Sequence, residues 1–244
     1  MLITGGNGGI GLGMAAACGA AGAQIVIWAR DEGKNAAALE TLQGQGITAH
    51  AFVCDVADEE QVDSTFAVSI DAAGGRIDSV FANAGRGGTG TSFVNTSLEA
   101  WRAVMATNLD GVFLTFRAAA RHMIAAGGGS LVAVSSTSAI HGAANNDAYG
   151  TAKTALLGMV RSLAVGLARH QIRVNALLPG WTLTEMAAAG YRNDKFRNAT
   201  VGRTPVRRWA DPSEMGPIAV YLADPTVTFH TGDTMVVDGG YTVF

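Results

Sequence analysis

Charged residues are scarce in this sequence, and neither sign is concentrated in a run. Asp, Glu, Lys and Arg make up 15% of the 244 residues, and the formal net charge is -3, against about 25% charged residues in an average globular protein. With 48% hydrophobic residues, the chain can bury a large core, which excludes wholesale disorder. Without a basic patch, electrostatic capture of nucleic acid or anionic lipid is not expected. The sequence therefore predicts a small-molecule partner, with no nucleic acid and no membrane.

Cysteine is equally scarce. Neither Cys18 nor Cys54 belongs to a paired metal-ligand spacing, which predicts no metal site and fits a reducing cytoplasm. A secretory signal begins with a basic segment ahead of an apolar stretch. The opening residues, MLITGG, do not have this pattern. No run approaches the roughly 20 apolar residues needed to cross a bilayer. We therefore expect a cytoplasmic protein.

Seven apolar runs alternate with helix-length segments along the whole chain. Three of the runs, QIVIWA, SLVAVS and IRVNALL, are almost continuously apolar, as in strands that are covered on both faces. The predicted strands are 1–4, 24–30, 47–53, 77–83, 130–135, 172–178 and 234–237. The predicted helices, each long enough for a right-handed crossover, are 10–21, 32–43, 58–73, 98–125, 148–170 and 212–223.

This alternation has no composition break, so it predicts one α/β domain over residues 1–244. The expected architecture is a doubly wound, Rossmann-type, seven-stranded parallel sheet with helices on both faces. The first strand is short against the usual five to six residues or so, and we expect the natural chain to begin upstream of Met1. Residues 182–210 mix Gly and Pro with Tyr191, Phe196 and Trp209. We interpret them as a mobile flap rather than core, of the kind that covers a ligand; a surface excursion without function is the alternative.

A glycine-rich turn, TGGNGGIG at 4–11, lies directly between the first predicted strand and the first helix. Glycines there permit a tight turn and let backbone N–H groups approach a pyrophosphate, whose charge faces the positive end of the helix. The spacing of Gly5, Gly9 and Gly11 differs from the commonest dinucleotide fingerprint, and no Walker A lysine follows. The turn predicts phosphate binding, and a merely flexible glycine loop is the alternative.

Tyr149 and Lys153 lie four residues apart, in YGTAK, near the start of a predicted helix. At this spacing their side chains emerge on one face, one turn apart. An ammonium near a phenol favours the phenolate, so we expect Lys153 to lower the pKa of Tyr149 from about 10 toward working pH. A phenol tuned in this way can exchange a proton with an alcohol or a ketone. Taken alone, such a pair is more often structural.

With these motifs in order along it, the chain resembles the short-chain dehydrogenase/reductase family over essentially its whole length. The matching stretches are TGGNGGIG, Cys54-Asp55-Val56, Asn83-Ala84-Gly85, Asn108-Leu109-Asp110-Gly111, VSSTSAIHG with Ser136, YGTAK, Pro179-Gly180 with Thr184, and TGDTMVVDGG. Each stretch is weak by itself. The spacing of Ser136, Tyr149 and Lys153, combined with the glycine turn, is highly specific.

The resemblance implies four catalytic residues: Asn108, Ser136, Tyr149 and Lys153. Tyr149 would exchange a proton with the substrate oxygen during hydride transfer, and Lys153 would tune it and bind the nicotinamide ribose. Ser136, at the carboxyl end of a strand, would hold the substrate oxygen, with Ser135 facing away. Asn108 would bind a water at a local break of its helix and complete a proton relay; an ordinary helical Asn is the alternative.

The resemblance also implies a dinucleotide site along the same edge of the sheet. Asp55 would accept from the adenine amino group, and Asn83 would line the adenosine ribose. The segment from Pro179 to Thr184 would meet the nicotinamide carboxamide and the diphosphate. The implied coenzyme-binding residues are Gly5, Asn7, Gly9, Ile10, Gly11, Arg30, Asp55, Val56, Asn83, Ala84, Gly85, Tyr149, Lys153, Pro179, Gly180, Thr182 and Thr184.

The end of the second strand favours NADP(H) as the coenzyme. An enzyme that uses NAD usually places an acidic residue there to hold the ribose 2′-OH, and this chain has Ala29. The next residue, Arg30, can meet a 2′-phosphate with a charge-assisted fork. Use of NAD(H) stays open, because Gly8 stands where many NADP-dependent relatives carry a second basic residue and because Asp31 lies close by.

The expected activity is interconversion of a secondary alcohol and a ketone by hydride transfer, without a metal. Candidate substrate-pocket residues are Ser138, His141, Asn145, Trp181, Met186 and Tyr191; for His141 a surface loop histidine is the alternative. Sugars or polyols, 3-oxoacyl thioesters and simple or aromatic ketones are all compatible, because the pocket walls come from variable loops. The rival function is a non-catalytic dinucleotide-binding sensor on the same fold. Relatives are commonly homotetramers, and the apolar C-terminal residues Tyr-Thr-Val-Phe fit such an interface.

Overall fold

The computed structural model describes residues 1–244 and contains a single seven-stranded sheet. Its strands are β1 (Leu2–Thr4), β2 (Ile25–Ala29), β3 (Ala49–Val53), β4 (Ser79–Ala82), β5 (Gly129–Val134), β6 (Ile172–Pro179) and β7 (Thr234–Val237). All neighbours pair in parallel, in the order β3-β2-β1-β4-β5-β6-β7. The strand order reverses between β1 and β4, which is where doubly wound sheets bind ligands. The predicted fold class is confirmed.

Nine α-helices connect and flank these strands. They are α1 (Gly9–Ala20), α2 (Glu32–Gly44), α3 (Glu59–Ala72), α4 (Leu98–Met105), α5 (Gly111–Ala126), α6 (Asp147–Leu167), α7 (Ala188–Arg192), α8 (Asp194–Arg203) and α9 (Gly216–Ala223). The side chains of Asp31 and Asp58 cap α2 and α3 by accepting from backbone N–H groups three residues on. None of the helices is long and apolar enough to span a membrane.

The predicted helix 98–125 is interrupted in the structure. Helices α4 and α5 are joined by one turn of π-helix, Ala106–Asp110. The apolar periodicity runs through this turn, so sequence periodicity alone predicts one continuous helix. A π-turn is frequent at functional sites because it changes the direction of side chains and leaves backbone groups without their usual partners.

Two apolar layers hold the sheet between its helices, because alternate strand residues face opposite sides. One layer packs on α1, α2 and α9 and includes Ile3, Ile27, Phe81 and Val132. The other packs on α3, α5 and α6 and includes Leu2, Val26, Val80, Leu131 and Val174. The strands are therefore covered on both faces, as their continuous apolar runs predict.

Residues 182–210 contain α7 and α8, and a backbone bridge joins the two ends of this segment. Thr182 and Ala210 form a parallel bridge, in which the Ala210 N–H donates to the Trp181 carbonyl over 2.9 Å. Trp209 is only 3% exposed and packs on the rings of Trp181 and Tyr191. The aromatic residues of this segment therefore form a small core of their own, and its interpretation as a flap that covers a ligand stays a prediction.

Candidate active site

The glycine turn between β1 and α1 is fastened to the end of β4. The side-chain amide of Asn83 donates to the carbonyls of Thr4 and Gly5 over 3.0 and 3.1 Å. The hydroxyl of Thr4 accepts from the backbone N–H groups of Asn83 and Ala84. A Cβ at Gly11 would lie 2.2 Å from the Gly5 carbonyl oxygen, so only glycine fits where the helix meets the turn. The Asn83 amide nitrogen thus holds the turn, and its oxygen remains an acceptor.

A buried amide that the sequence interpretation missed supports the same turn. Asn35 on α2 accepts from the Asn7 side chain over 2.9 Å and donates to the Ala29 and Phe52 carbonyls over 3.2 and 3.4 Å. It therefore joins the turn to the ends of β2 and β3. Its position was detectable, because Asn35 shares the buried helix face of Ala38 and Leu42.

The predicted coenzyme-binding residues lie together at the carboxyl edge of the sheet. They follow the ends of β1 (Gly5, Asn7, Gly9, Ile10, Gly11), β2 (Arg30), β3 (Asp55, Val56), β4 (Asn83, Ala84, Gly85) and β6 (Gly180, Thr182, Thr184), with Pro179 as the last residue of β6. Arg30 and Asp55 pair at 3.6 Å, and the Arg30 side chain is 68% exposed. Thr184 lies against Gly9, and Glu185 pairs with Lys34 of α2 at 2.6 Å. The start of the flap therefore reaches the glycine turn.

The four predicted catalytic residues also meet at this edge. Tyr149 and Lys153 lie on one face of α6, with the Lys153 Nζ 5.6 Å from the centre of the Tyr149 ring. Lys153 is buried and donates to the Val134 carbonyl over 2.8 Å. Ser136 follows β5, and the neighbouring Ser135 is turned away and donates to the Lys153 carbonyl. The predicted orientation of Ser135 is confirmed.

Burial dominates the electrostatics of Tyr149 and Lys153. It raises the pKa of Tyr149 above its usual value, against a smaller lowering by the Ser136 hydroxyl. It lowers the pKa of Lys153 to about 8. The expectation that the pKa of Tyr149 lies below its usual value is therefore wrong for the chain by itself, because burial outweighs the lowering by the Ser136 hydroxyl.

Asn108 lies inside the π-turn and is completely buried, so the predicted local break of its helix is confirmed. Its amide donates to the Arg86 and Val104 carbonyls over 3.0 Å each, and its Oδ1 accepts from the Arg86 N–H over 3.3 Å. A Cβ at Gly85 would be 2.8 Å from that oxygen and 3.7 Å from the Lys153 Nζ. Asn108 thus positions the segment after β4 beside Lys153.

The six candidate substrate-pocket residues do not form one cluster. Asn145, Met186 and Tyr191 are exposed, and Ser138 binds the Ser136 hydroxyl through its backbone N–H over 3.1 Å. His141 and Trp181 both pack on Tyr241, with ring centres 5.3 and 6.5 Å from it.

The sequence predicts that Tyr241 belongs to an apolar tail that fits an interface between subunits. It is instead buried within its own chain, under the guanidinium of Arg203 at 4.4 Å from its ring centre. The buried tyrosine therefore connects the flap helix α8 to the loop that follows β5. Its only sequence signal is an aromatic residue directly after the Gly239-Gly240 pair.

Comparisons with known proteins agree with this geometry. A family model described as Enoyl-(Acyl carrier protein) reductase matches residues 5–242. Dehydrogenase/reductase SDR family member 4 of Sus scrofa is 31% identical over 98% of this chain and 85% of its own length. The 5-keto-D-gluconate 5-reductase of Escherichia coli strain K12 is 34% identical over 100% of this chain and 95% of its own.

A solved structure is equally similar. The gluconate 5-dehydrogenase of Burkholderia cenocepacia J2315, in complex with NADP and tartrate, superimposes with a TM-score of 0.93 at 34% identity, covering 100% of this chain and 94% of that one. Fold, family model and relatives agree over the whole chain. The chain therefore belongs to the short-chain dehydrogenase/reductase family of oxidoreductases.

Proposed function

We propose that this protein interconverts a secondary alcohol and a ketone with NADP(H), using Tyr149 as the general acid and base. The observation that carries the proposal is the arrangement of Tyr149 and Lys153 one turn apart on α6, beside Ser136 and at the carboxyl edge where the strand order reverses. In this reading the bound coenzyme supplies or takes up the hydride. The protein binds the substrate oxygen and moves its proton.

The residues at the β1–α1 turn fit a dinucleotide. No side chain caps the N-terminus of α1, and no acidic residue lies in its first turn, so its first N–H groups and positive end suit a diphosphate. Arg30 is exposed at the end of β2 and only weakly paired with Asp55. Its guanidinium can hold a 2′-phosphate, which supports NADP(H) over NAD(H).

Tyr149 is placed to protonate the oxygen of a ketone whose carbon receives the hydride of the coenzyme. Because burial raises its pKa, the phenol keeps its proton at neutral pH and can give it to a carbonyl oxygen as hydride arrives. The Ser136 hydroxyl would donate to the same oxygen. Asn108 acts indirectly. Its side chain binds the backbone of Arg86 and so positions the segment after β4, which lies beside Lys153.

The absorbance of reduced nicotinamide tests the proposal. Polyhydroxylated ketones, 3-oxoacyl thioesters, and simple and aromatic ketones are offered with NADPH and with NADH. We expect turnover of at least one class with NADPH, and a loss of about 10²- to 10⁴-fold in kcat for Tyr149→Phe with NADPH binding retained. NADPH binding without turnover of any class would contradict the proposal and favour the non-catalytic sensor.

A further inference from the structure

Two ring nitrogens near the catalytic edge are unused by the residues described above. Nε2 of His141 and Nε1 of Trp181 are buried and have no hydrogen-bond partner. Buried polar atoms are satisfied in the great majority of native structures, so an orphaned pair calls for an explanation. Both rings contact Tyr241. His141 lies on the loop that follows Ser136, and Trp181 follows Gly180 at the end of β6.

The two nitrogens have opposite hydrogen-bonding character. An indole Nε1 only donates. Nδ1 of His141 lies 3.2 Å from the Gly142 carbonyl oxygen, and since a carbonyl can only accept, Nδ1 carries the hydrogen. In the neutral imidazole Nε2 is then an acceptor. A group that satisfies both atoms must accept from Trp181 and donate to His141, which a hydroxyl can do and a carbonyl or carboxylate cannot.

We propose that His141 and Trp181 together bind a hydroxyl group of the substrate, so that the preferred substrate is a polyhydroxylated ketone or alcohol. This inference rests on the oxidoreductase function proposed above and selects among its substrate classes. The Trp181 indole is held in place, because it stacks on Trp209 at 5.0 Å and meets the edge of Phe196 at 5.0 Å. Its N–H is therefore preorganised, and an apolar substrate leaves both nitrogens unpaired.

A series of six-carbon ketones tests the inference in the wild-type enzyme. We expect kcat/KM for D-fructose to exceed that for 2-hexanone by about 10- to 100-fold or more, since a site built around a hydroxyl discriminates against analogues that lack it. Among D-fructose derivatives that each lack one hydroxyl, one is expected to lose most of this advantage, mainly through KM.

Matched variants assign the effect to the two nitrogens. Trp181→Phe and His141→Phe keep a ring against Tyr241 but remove the donor or the acceptor, and each should lower the ratio of kcat/KM between D-fructose and 2-hexanone about tenfold. The control is Trp28→Phe, which removes an indole N–H that is already bonded to the Ser69 hydroxyl over 2.8 Å and does not contact Trp181 or His141. It should leave this ratio in place.

Equal kcat/KM for the two ketones, or an equal fall of the ratio in Trp181→Phe and Trp28→Phe, would overturn the hydroxyl site and leave the proposed function standing. Absence of turnover of every ketone would overturn the proposed function. In that case calorimetric titration of the NADP complex still decides about the site: tighter binding of D-sorbitol than of 2-hexanol supports it, and equal binding refutes it.

Discussion

Replacement of Lys153 by Met should change how the stability of the protein depends on pH. Lys153 is buried, and burial lowers its pKa from 10.5 to about 8. At 1.36 kcal/mol per unit, this shift corresponds to a penalty of about 3 kcal/mol for folding with the charged amine. Below pH 8 the folded and unfolded states both carry the proton, and the penalty is complete. Between pH 8 and 10.5 only the unfolded state binds the proton, so stability rises with pH.

Urea unfolding of the wild type and of Lys153→Met, at the same protein concentration from pH 7 to 10, measures this effect. Between pH 7 and pH 10 the unfolding free energy of the wild type should rise by about 2.5 kcal/mol relative to that of Lys153→Met, because Met carries no titrating group. The raised pKa of Tyr149 acts in the opposite direction but only above about pH 10, where the unfolded phenol loses its proton first.

Lys195→Met provides the matched control, because Lys195 is exposed on α8 and its removal should give a difference that is constant with pH. Lys153→Met also loses the hydrogen bond to the Val134 carbonyl. This loss lowers the unfolding free energy of the variant by the same amount at every pH, so it does not change how the difference from the wild type depends on pH. If the difference in unfolding free energy between the wild type and Lys153→Met were the same at every pH from 7 to 10, burial would not disfavour the charged amine, and the reasoning would be refuted.

Three further outcomes are expected. Arg30→Ala should lower the preference for NADPH over NADH about tenfold in kcat/KM; an unchanged preference would show that Arg30 is not the selector. Burial raises the pKa of Cys18 and Cys54 to about 11, so iodoacetamide at neutral pH should label them only after unfolding, and rapid labelling of the native protein would contradict this. The exposed C-terminal residues Val243 and Phe244 fit an interface between chains, and the family resemblance implies a homotetramer; light scattering should give the mass of four chains, and a monomer at micromolar concentration would contradict it.

Local chemistry made several parts of the site predictable. Two side chains four residues apart on a helix share a face whatever surrounds them, so Tyr149 and Lys153 were paired correctly. The distinction between the two serines after β5 was also correct, since Ser135 is buried and donates to the Lys153 carbonyl. The missed contributors, Asn35 and Tyr241, act on partners far away in the chain, and their local patterns resemble ordinary helix and tail residues.

The order of apolar runs, turns and helix-length segments was sufficient for the parallel sheet, its helices and the edge at which the site lies, because periodicity and chain connectivity restrict a doubly wound fold to few arrangements. Only the tertiary structure decided the directions of the pKa shifts of Tyr149 and Lys153 and the unpaired nitrogens of His141 and Trp181. The pKa of a group and the satisfaction of a buried polar atom depend on which distant segments exclude water from it, and that exclusion exists only once the chain has packed.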